Sequence, residues 1–196
     1  MIWEDIESRA ETILSQSWVR WIHDGTLPAK TSEQKERNLF IGMTTKHCAV
    51  CLNLNGCCFV KKKAPNAPLH SNCHCRVVEI PIVEPAAECS VKKFSAYLFD
   101  ESKSGGKKDL FESWGYGIID SEDLAQEYIK QAKPAYLSGV YILGRLDAYG
   151  QRIDIVIALQ RKDNTEIVSF VSGWMVYPDG KIVLTTPYGG GNYEIA

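Results

Sequence analysis

The feature that most constrains this chain is a set of cysteine and histidine residues with the spacing C-x2-C-x18-H-x2-C-x-C, which begins at Cys48 and ends at Cys75. A tight C-x2-C pair followed, across a turn-rich loop, by a second pair of donors is the pattern with which a chain holds a tetrahedral zinc ion. The spacing therefore predicts a structural zinc site. Reduced, buried cysteines without metal and a disulfide framework are the two less favoured readings.

The pattern offers more donors than the four positions of a closed structural site. The candidates, in chain order, are Cys48, Cys51, His70, Cys73 and Cys75. We expect the first four to bind the metal, with Cys75 as the substitute because a C-x-C pair can turn both sulfur atoms toward one ion. His47 and His74 are weaker candidates.

Two further cysteines, Cys57 and Cys58, directly follow Asn55-Gly56. An Asn-Gly turn followed by Cys-Cys-Phe-Val predicts the return strand of a small hairpin. We therefore expect Cys57 and Cys58 to be packing residues and not ligands.

The same stretch resembles a known module. The matching residues are Cys48-x-x-Cys51, Leu54-Asn55-Gly56 and Pro68-Leu69-His70-x-Asn72-Cys73-x-Cys75. In this order they resemble the C-terminal zinc-binding motif of phage head-morphogenesis proteins, the Mu F-like minor capsid group. Ser71 and His74 stand where that family usually has proline and arginine. The resemblance implies a zinc-binding module and, less specifically, a role connected with phage heads.

Composition is that of an ordinary globular chain, with 45% hydrophobic and 23% charged residues among 196 and a formal net charge of -2. That charge argues against a basic protein that binds nucleic acid through its bulk charge. No apolar run is long enough for a transmembrane helix. Because the first residues are acidic and amphipathic, we expect that they are not a secretory signal. Seven cysteines in zinc-type spacing fit a reducing compartment. We expect a cytoplasmic protein with no membrane partner, and leave open virion association or delivery as a toxin.

The chain is predicted to form two domains, over residues 1–90 and 91–196. The first is a small helical zinc-binding module, with helices over 2–23 and 32–42 beside the metal loop. Prolines and alanines near residue 85 mark the linker.

The second domain is predicted to place helices before strands. The helices cover 92–98, 107–114 and 122–132, with a loop over 102–106 and an end at Pro134; the strands cover 140–143, 152–159, 166–177 and 181–186. Helices followed by strands with a period of two predict an α+β fold, with the helices packed on one face of an antiparallel sheet.

The order of motifs in this domain carries a second resemblance. The motifs are Ala96-Tyr97-Leu98, Gly106-Lys107-Lys108-x-x-Phe111, Gly115-Tyr116, Leu124, Tyr149-Gly150-x-Arg152, Trp174-x-Val176 and Leu184-Thr185-Thr186-Pro187-Tyr188. They resemble a C-terminal domain of bacterial polymorphic toxins with the barnase–EndoU–colicin–RelE-like ribonuclease fold. The resemblance implies a metal-independent ribonuclease, RNA as substrate and an immunity protein as partner.

Metal-independent RNA cleavage needs a base for the ribose 2′-hydroxyl, an acid for the leaving oxygen and a cation for the phosphorane. All four histidines lie before Cys75, so the second domain has to use other groups. The candidate catalytic residues are Lys107, Lys108, Arg152, Thr185 and Tyr188. Solvated surface lysines are the simpler reading of Lys107 and Lys108.

Two functional hypotheses follow. The first is a protein of a phage or mobile element, with a structural zinc module and a ribonuclease-like toxin domain. The second is a non-enzymatic phage head-assembly or accessory protein that uses both domains to bind a phage structural protein. The missing histidines and the net charge favour the second hypothesis, and the order of toxin-like motifs favours the first.

Overall fold

A computed structural model describes residues 17–23, 44–70, 73, 75–81 and 83–190, and for residues 44–48 it describes the backbone alone. The chain divides into two compact units. The first contains residues 1–84, 145–151 and 176–180, and the second contains 85–144, 152–175 and 181–196.

The described part of the first unit contains a three-stranded sheet and one α-helix, and also the segments 145–151 and 176–180, which include the ends of later strands. The strands are β1 (Trp18–His23), β2 (Cys58–Val60) and β3 (Cys75–Ile80), and the helix is α1 (Thr44–Leu54). The sheet order is β2-β1-β3, and β1 is antiparallel to both neighbours. β1 is therefore the central strand, and its Trp18, Val19 and Trp21 side chains are buried.

The helix predicted over residues 2–23 is wrong for residues 18–23, which form β1. Tryptophan, valine and isoleucine are residues that favour strands. Pairing on both edges of β1 supplies backbone hydrogen bonds that a helix would have to replace. The remainder of that predicted helix and the helix over 32–42 lie outside the described residues, so a helical module is not confirmed.

The turn at Asn55-Gly56 ends α1 instead of closing a hairpin. The Cys57 backbone N–H donates to the Leu54 carbonyl at 2.8 Å, and Gly56 has a φ of 86°, which a residue with a side chain rarely adopts. The predicted strand after the turn exists as β2, but it pairs with β1 and not with the segment before the turn.

The second unit begins with a short strand, β4 (Ala87–Glu88), and continues with helices. A π-helical turn at Phe94–Leu98 precedes α2 (Glu101–Ser104), α3 (Lys107–Ser113) and α4 (Ser121–Leu137).

Four long strands complete the second unit. They are β5 (Ile142–Asp147), β6 (Gly150–Gln160), β7 (Ile167–Val176) and β8 (Ile182–Gly190), and the sheet order is β4-β8-β7-β6-β5. β6 pairs antiparallel with β7, whereas β4 pairs parallel with β8. The coarse α+β prediction is confirmed, and the sheet is mixed where we expected it to be purely antiparallel.

The helices pack on one face of this sheet. β6 places Ile153, Ile155, Ile157 and Leu159 on that face, fully or almost fully buried. Phe170 on β7 lies opposite Ile157, and its ring is 5.6 Å from that of Phe111 on α3. The alternate residues of β6, among them Arg152 and Asp154, lie on the other face.

Two helix boundaries differ from the prediction. The expected loop over 102–106 contains most of α2, which begins after Asp100 caps the Ser102 backbone N–H. α4 passes through Pro134 and ends at Leu137, because Tyr136 and Leu137 beyond the proline are buried and their packing outweighs the lost hydrogen bond. Within the described part of the chain, no helix is both long enough and apolar enough to span a membrane.

Replacing Ile157 tests the buried face of β6. We expect Ile157→Ala, which removes a side chain with no exposed area, to lower the free energy of unfolding by about 2–5 kcal/mol. Ile167→Ala is the matched control, because Ile167 is 66% exposed and the change should stay within about 0.5 kcal/mol. Urea denaturation monitored by tryptophan fluorescence measures both, and equal losses would contradict this core.

Candidate functional site

The register between β1 and β3 places a histidine opposite a cysteine. The ladder runs from Trp18 opposite Ile80 to His23 opposite Cys75. The Asn55 side chain holds the end of β1, since its Oδ1 accepts a hydrogen bond from the His23 backbone N–H at 3.0 Å. The His23 Nδ1 atom lies 3.4 Å from the Cys75 Sγ atom.

A second group of donors meets at the end of α1. Cys51 lies in the last turn of this helix and is 1% exposed. The loop between β2 and β3 brings His70 and Cys73 together, with the Cys73 backbone N–H donating to the His70 carbonyl at 2.9 Å. The Cys51 Sγ atom lies 3.4 Å from His70 Nε2 and 3.7 Å from Cys73 Sγ.

These donors form two triads that share Cys51. His23, Cys51 and Cys75 form one, and Cys51, His70 and Cys73 form the other; within each, the donor atoms lie within 4.8 Å of one another. Zinc bound tetrahedrally at about 2.3 Å from sulfur and about 2.0 Å from nitrogen places neighbouring ligand atoms about 3.5–3.8 Å apart. The observed separations therefore fit a metal site, and the thiolate and imidazole donors are those that zinc prefers.

Electrostatics also favours a cation here. Burial raises the pKa of Cys51, and the adjacent Cys75 and Cys73 thiols raise it further. Burial and the Cys73 thiol raise the pKa of Cys75 in the same way. Burial acts to raise the pKa of Cys73 as well, but backbone hydrogen bonds from Leu69 and Cys75 lower it below the ordinary value. Packed thiols resist multiple ionisation by themselves, and a bound divalent ion removes that resistance.

Cys57 and Cys58 differ from these donors because their thiols contact backbone carbonyls. Both are fully buried, and each thiol donates to a backbone carbonyl, Cys57 to Asn53 at 3.4 Å and Cys58 to Gly56 at 3.5 Å. Burial raises the pKa of Cys57 to about 12. Both side chains are buried and contact backbone carbonyls, which fits the prediction that they are packing residues.

The described structure therefore brings together Cys51, His70, Cys73 and Cys75 of the predicted ligands. The side chains of Cys48, His47 and His74 lie outside the described residues. His23 was not among the predicted ligands. The signal that could have found it is the strand-forming run Trp18–Ile22 directly before it, which makes a cross-strand partner plausible.

The second unit presents a polar niche on the sheet face opposite the helices. Asp154 on β6 pairs with Gly173 on β7, and Thr185 Oγ1 on β8 donates to the Gly173 carbonyl at 2.8 Å. A methyl group added to Gly173 would lie 3.3 Å from Thr185 Oγ1 and 3.7 Å from Asp154 Oδ1. Thr186 Cβ would lie 3.4 Å from the same methyl group, so Gly173 lets Thr185 Oγ1 and Asp154 Oδ1 approach each other closely where a side chain would crowd them.

Cationic groups accompany this niche. Arg152 lies two residues before Asp154 on the same face of β6. Lys93 Nζ donates to the Thr185 carbonyl at 2.8 Å. Burial raises the pKa of Asp154, and the Arg152 charge opposes that shift in part. Asp154 was not predicted as a site residue, although its place beside Arg152 in an alternating strand was visible in the sequence.

The other predicted catalytic residues lie on the helical side. Lys107 Nζ is 5.7 Å from the centroid of the Tyr97 ring, and Lys108 forms an ion pair with Glu101 at 3.8 Å. Tyr188 packs its ring 5.3 Å from that of Phe170. Arg152 and Thr185 are therefore on one face of the sheet, whereas Lys107, Lys108 and Tyr188 belong to the layer on the other face.

Comparison of the chain with protein-family models, curated proteins and solved structures gives no significant match.

A pair of buried cysteines tests the metal centre. We expect Cys51→Ser to abolish or strongly reduce tight zinc binding, because Cys51 belongs to both triads. The control is Cys57→Ser, equally buried but engaged with backbone carbonyls, which should keep its zinc. Elemental analysis of the dialysed proteins measures the difference, and loss of zinc in both variants would contradict this assignment.

Proposed function

We infer that the first unit binds zinc and that the ion has a structural role. The observation that carries this proposal is the convergence of Cys51, His70, Cys73 and Cys75, with His23, at separations typical of zinc ligands. The donors come from α1, from the β2–β3 loop and from two paired strands. A metal that joins them would connect α1 and the β2–β3 loop to the end of the β1–β3 ladder, and would stabilise that arrangement.

Chelation tests the structural role. We expect removal of zinc to increase amide hydrogen exchange across β1 and β3, because their common end carries His23 and Cys75. The strands β6 and β7, which contain none of these donors, serve as the internal control. Mass spectrometry of exchange in the full chain gives both results together, and unchanged protection of β1 and β3 would show that the ion is not structural.

The second unit is proposed to cleave RNA without a metal. Arg152, Asp154 and Thr185 supply a cation, a carboxylate and a hydroxyl on one sheet face, with Asp154 and Thr185 both close to Gly173. A carboxylate base and a cation are two of the three groups that an attack by a ribose 2′-oxygen on the adjacent phosphorus requires.

Asp154 and Arg152 have direct roles in this reaction, and the Thr185 hydroxyl joins β8 to β7 through its hydrogen bond to the Gly173 carbonyl. The Asp154 carboxylate accepts the 2′-hydroxyl proton as the 2′-oxygen bonds to phosphorus. The bond from phosphorus to the 5′-oxygen breaks, and this oxygen takes a proton from an acid. The candidate acid is the Lys93 ammonium group, which donates to the Thr185 carbonyl at 2.8 Å. Arg152 stabilises the phosphorane charge. The products are a 2′,3′-cyclic phosphate and a free 5′-hydroxyl.

The biological setting is proposed from the two resemblances. A phage-type zinc module joined to a toxin-like domain fits a protein of a phage or mobile element, with an immunity protein as its partner. The alternative is a non-enzymatic head-assembly or accessory protein, for which the same polar face would bind a phage structural protein. The net charge of -2 favours this alternative.

An isosteric change at Asp154 distinguishes the ribonuclease from the non-enzymatic binding protein. We expect Asp154→Asn to lower the RNA cleavage rate by about 10²–10⁴-fold through loss of the general base. Lys107→Ala/Lys108→Ala is the control and should keep the activity. Cleavage of tRNA, rRNA and mRNA by the full zinc-loaded chain without Mg²⁺ measures this. Activity lost only in the lysine variant would move the site to α3, and no activity in the native chain would favour the binding protein.

The same variant has an expected effect on stability. Because burial raises the pKa of Asp154 in the folded state, the folded state binds more protons than the unfolded state between the two pKa values. Stability contributed by the protonated group is therefore lost as pH rises through the folded pKa. Asp154→Asn should remove that pH-dependent loss, so the variant is inactive but not destabilised near neutral pH. Denaturation curves of the native chain and of Asp154→Asn, recorded below and above the pKa of Asp154 in the folded state, measure the free energy of unfolding in each case.

A further inference from the structure

The metal cluster contains more donors than one ion can use. Five described side chains contribute to it, and a structural zinc ion takes four ligands. One tetrahedral ion would bind four of these donors and leave the fifth without metal. The donors fall into two triads with Cys51 as the shared member, and the Cys73 and Cys75 thiols interact across the two triads.

Each triad has the internal spacing of a site of its own. In the first, His23 Nδ1 and Cys75 Sγ are 3.4 Å apart, close to the separation of about 3.5 Å for a nitrogen and a sulfur on one zinc ion. In the second, Cys51 Sγ is 3.4 Å from His70 Nε2 and 3.7 Å from Cys73 Sγ. The His23–Cys75 pair is therefore as well arranged for a metal as the pair that the sequence motif predicts.

The two triads are built by different parts of the chain. Opposed residues at the end of the β1–β3 ladder supply the first pair, and a turn in the loop after β2 supplies the second. Cys51 reaches both because it sits buried in the last turn of α1. A thiolate has several lone pairs, so one sulfur atom in this position can bind two metal ions.

We propose that this cluster holds two zinc-class ions bridged by the Cys51 thiolate, with His23 and Cys75 on one ion and His70 and Cys73 on the other. The proposal rests on the proposed zinc-binding function and extends it to a second ion.

With Cys51 counted on both ions, the five described donors give each ion three protein ligands. A tetrahedral ion then has its fourth position open to a further ligand.

The decisive measurement is the number of ions per chain. The full chain is loaded with zinc, dialysed and analysed for zinc and protein. We expect two ions in the native chain, one in His23→Gln, and two in the control Cys57→Ser, whose thiol is equally buried but donates to a backbone carbonyl. His23 is only partly buried and ends its strand, so its replacement should leave the fold intact, which circular dichroism checks.

Substitution with ¹¹³Cd gives an independent readout. We expect two cadmium resonances in the native chain, coupled through the shared sulfur, and one in His23→Gln. One ion in both native and His23→Gln chains would overturn the second site and leave the single zinc site standing. Two ions retained in His23→Gln would also overturn the proposal, because the second ion would then lie elsewhere. No tightly bound ion would overturn this proposal and the zinc-binding function together.

Discussion

The pairing of β1 with β3 is the interaction on which the first unit depends. It extends over the whole length of β1 and ends with His23 opposite Cys75. A shift of one residue would turn His23 to the other face of the sheet and would do the same to Val19 and Trp21, which share its face and are buried. The hydrophobic face and the metal donors therefore require the same register. An ion bound at the end of the ladder would favour this register over its alternatives.

Much of this site could be predicted from the sequence, because four of its donors lie within one short motif. Cys51, His70, Cys73 and Cys75 are recognisable by spacing alone, since a knuckle and a returning loop are local features. His23 is not local. Its place depends on a strand pairing between segments that are far apart in sequence, and residues 2–23 contain enough scattered apolar residues to favour a helix. The run Trp18–Ile22 was the contrary signal, and tertiary pairing decided the outcome.

In the second unit too, the local sequence pattern predicts some features, whereas others depend on how the strands pair. A period of two in β6 correctly predicts which side chains are buried, and it places Arg152 and Asp154 together on the other face. The neighbourhood of Thr185 depends on how β8 aligns with β7, which no single-strand pattern reveals. For this reason the sequence could nominate Arg152, Thr185, Lys107 and Tyr188 as equals, whereas the fold places the first two and the last two in different layers.

The cysteines of the first unit can be divided by what their sulfur atoms contact. Cys57 and Cys58 donate to backbone carbonyls, an arrangement that is satisfied only while the thiol keeps its proton. Cys51, Cys73 and Cys75 contact other sulfur atoms and imidazole nitrogens, none of which satisfies three protonated thiols as fully as carbonyls do. Burial makes ionisation of such a group costly without a cation and favourable with one. The same burial that protects Cys57 as a packing residue therefore makes the donor cluster dependent on metal for its stability.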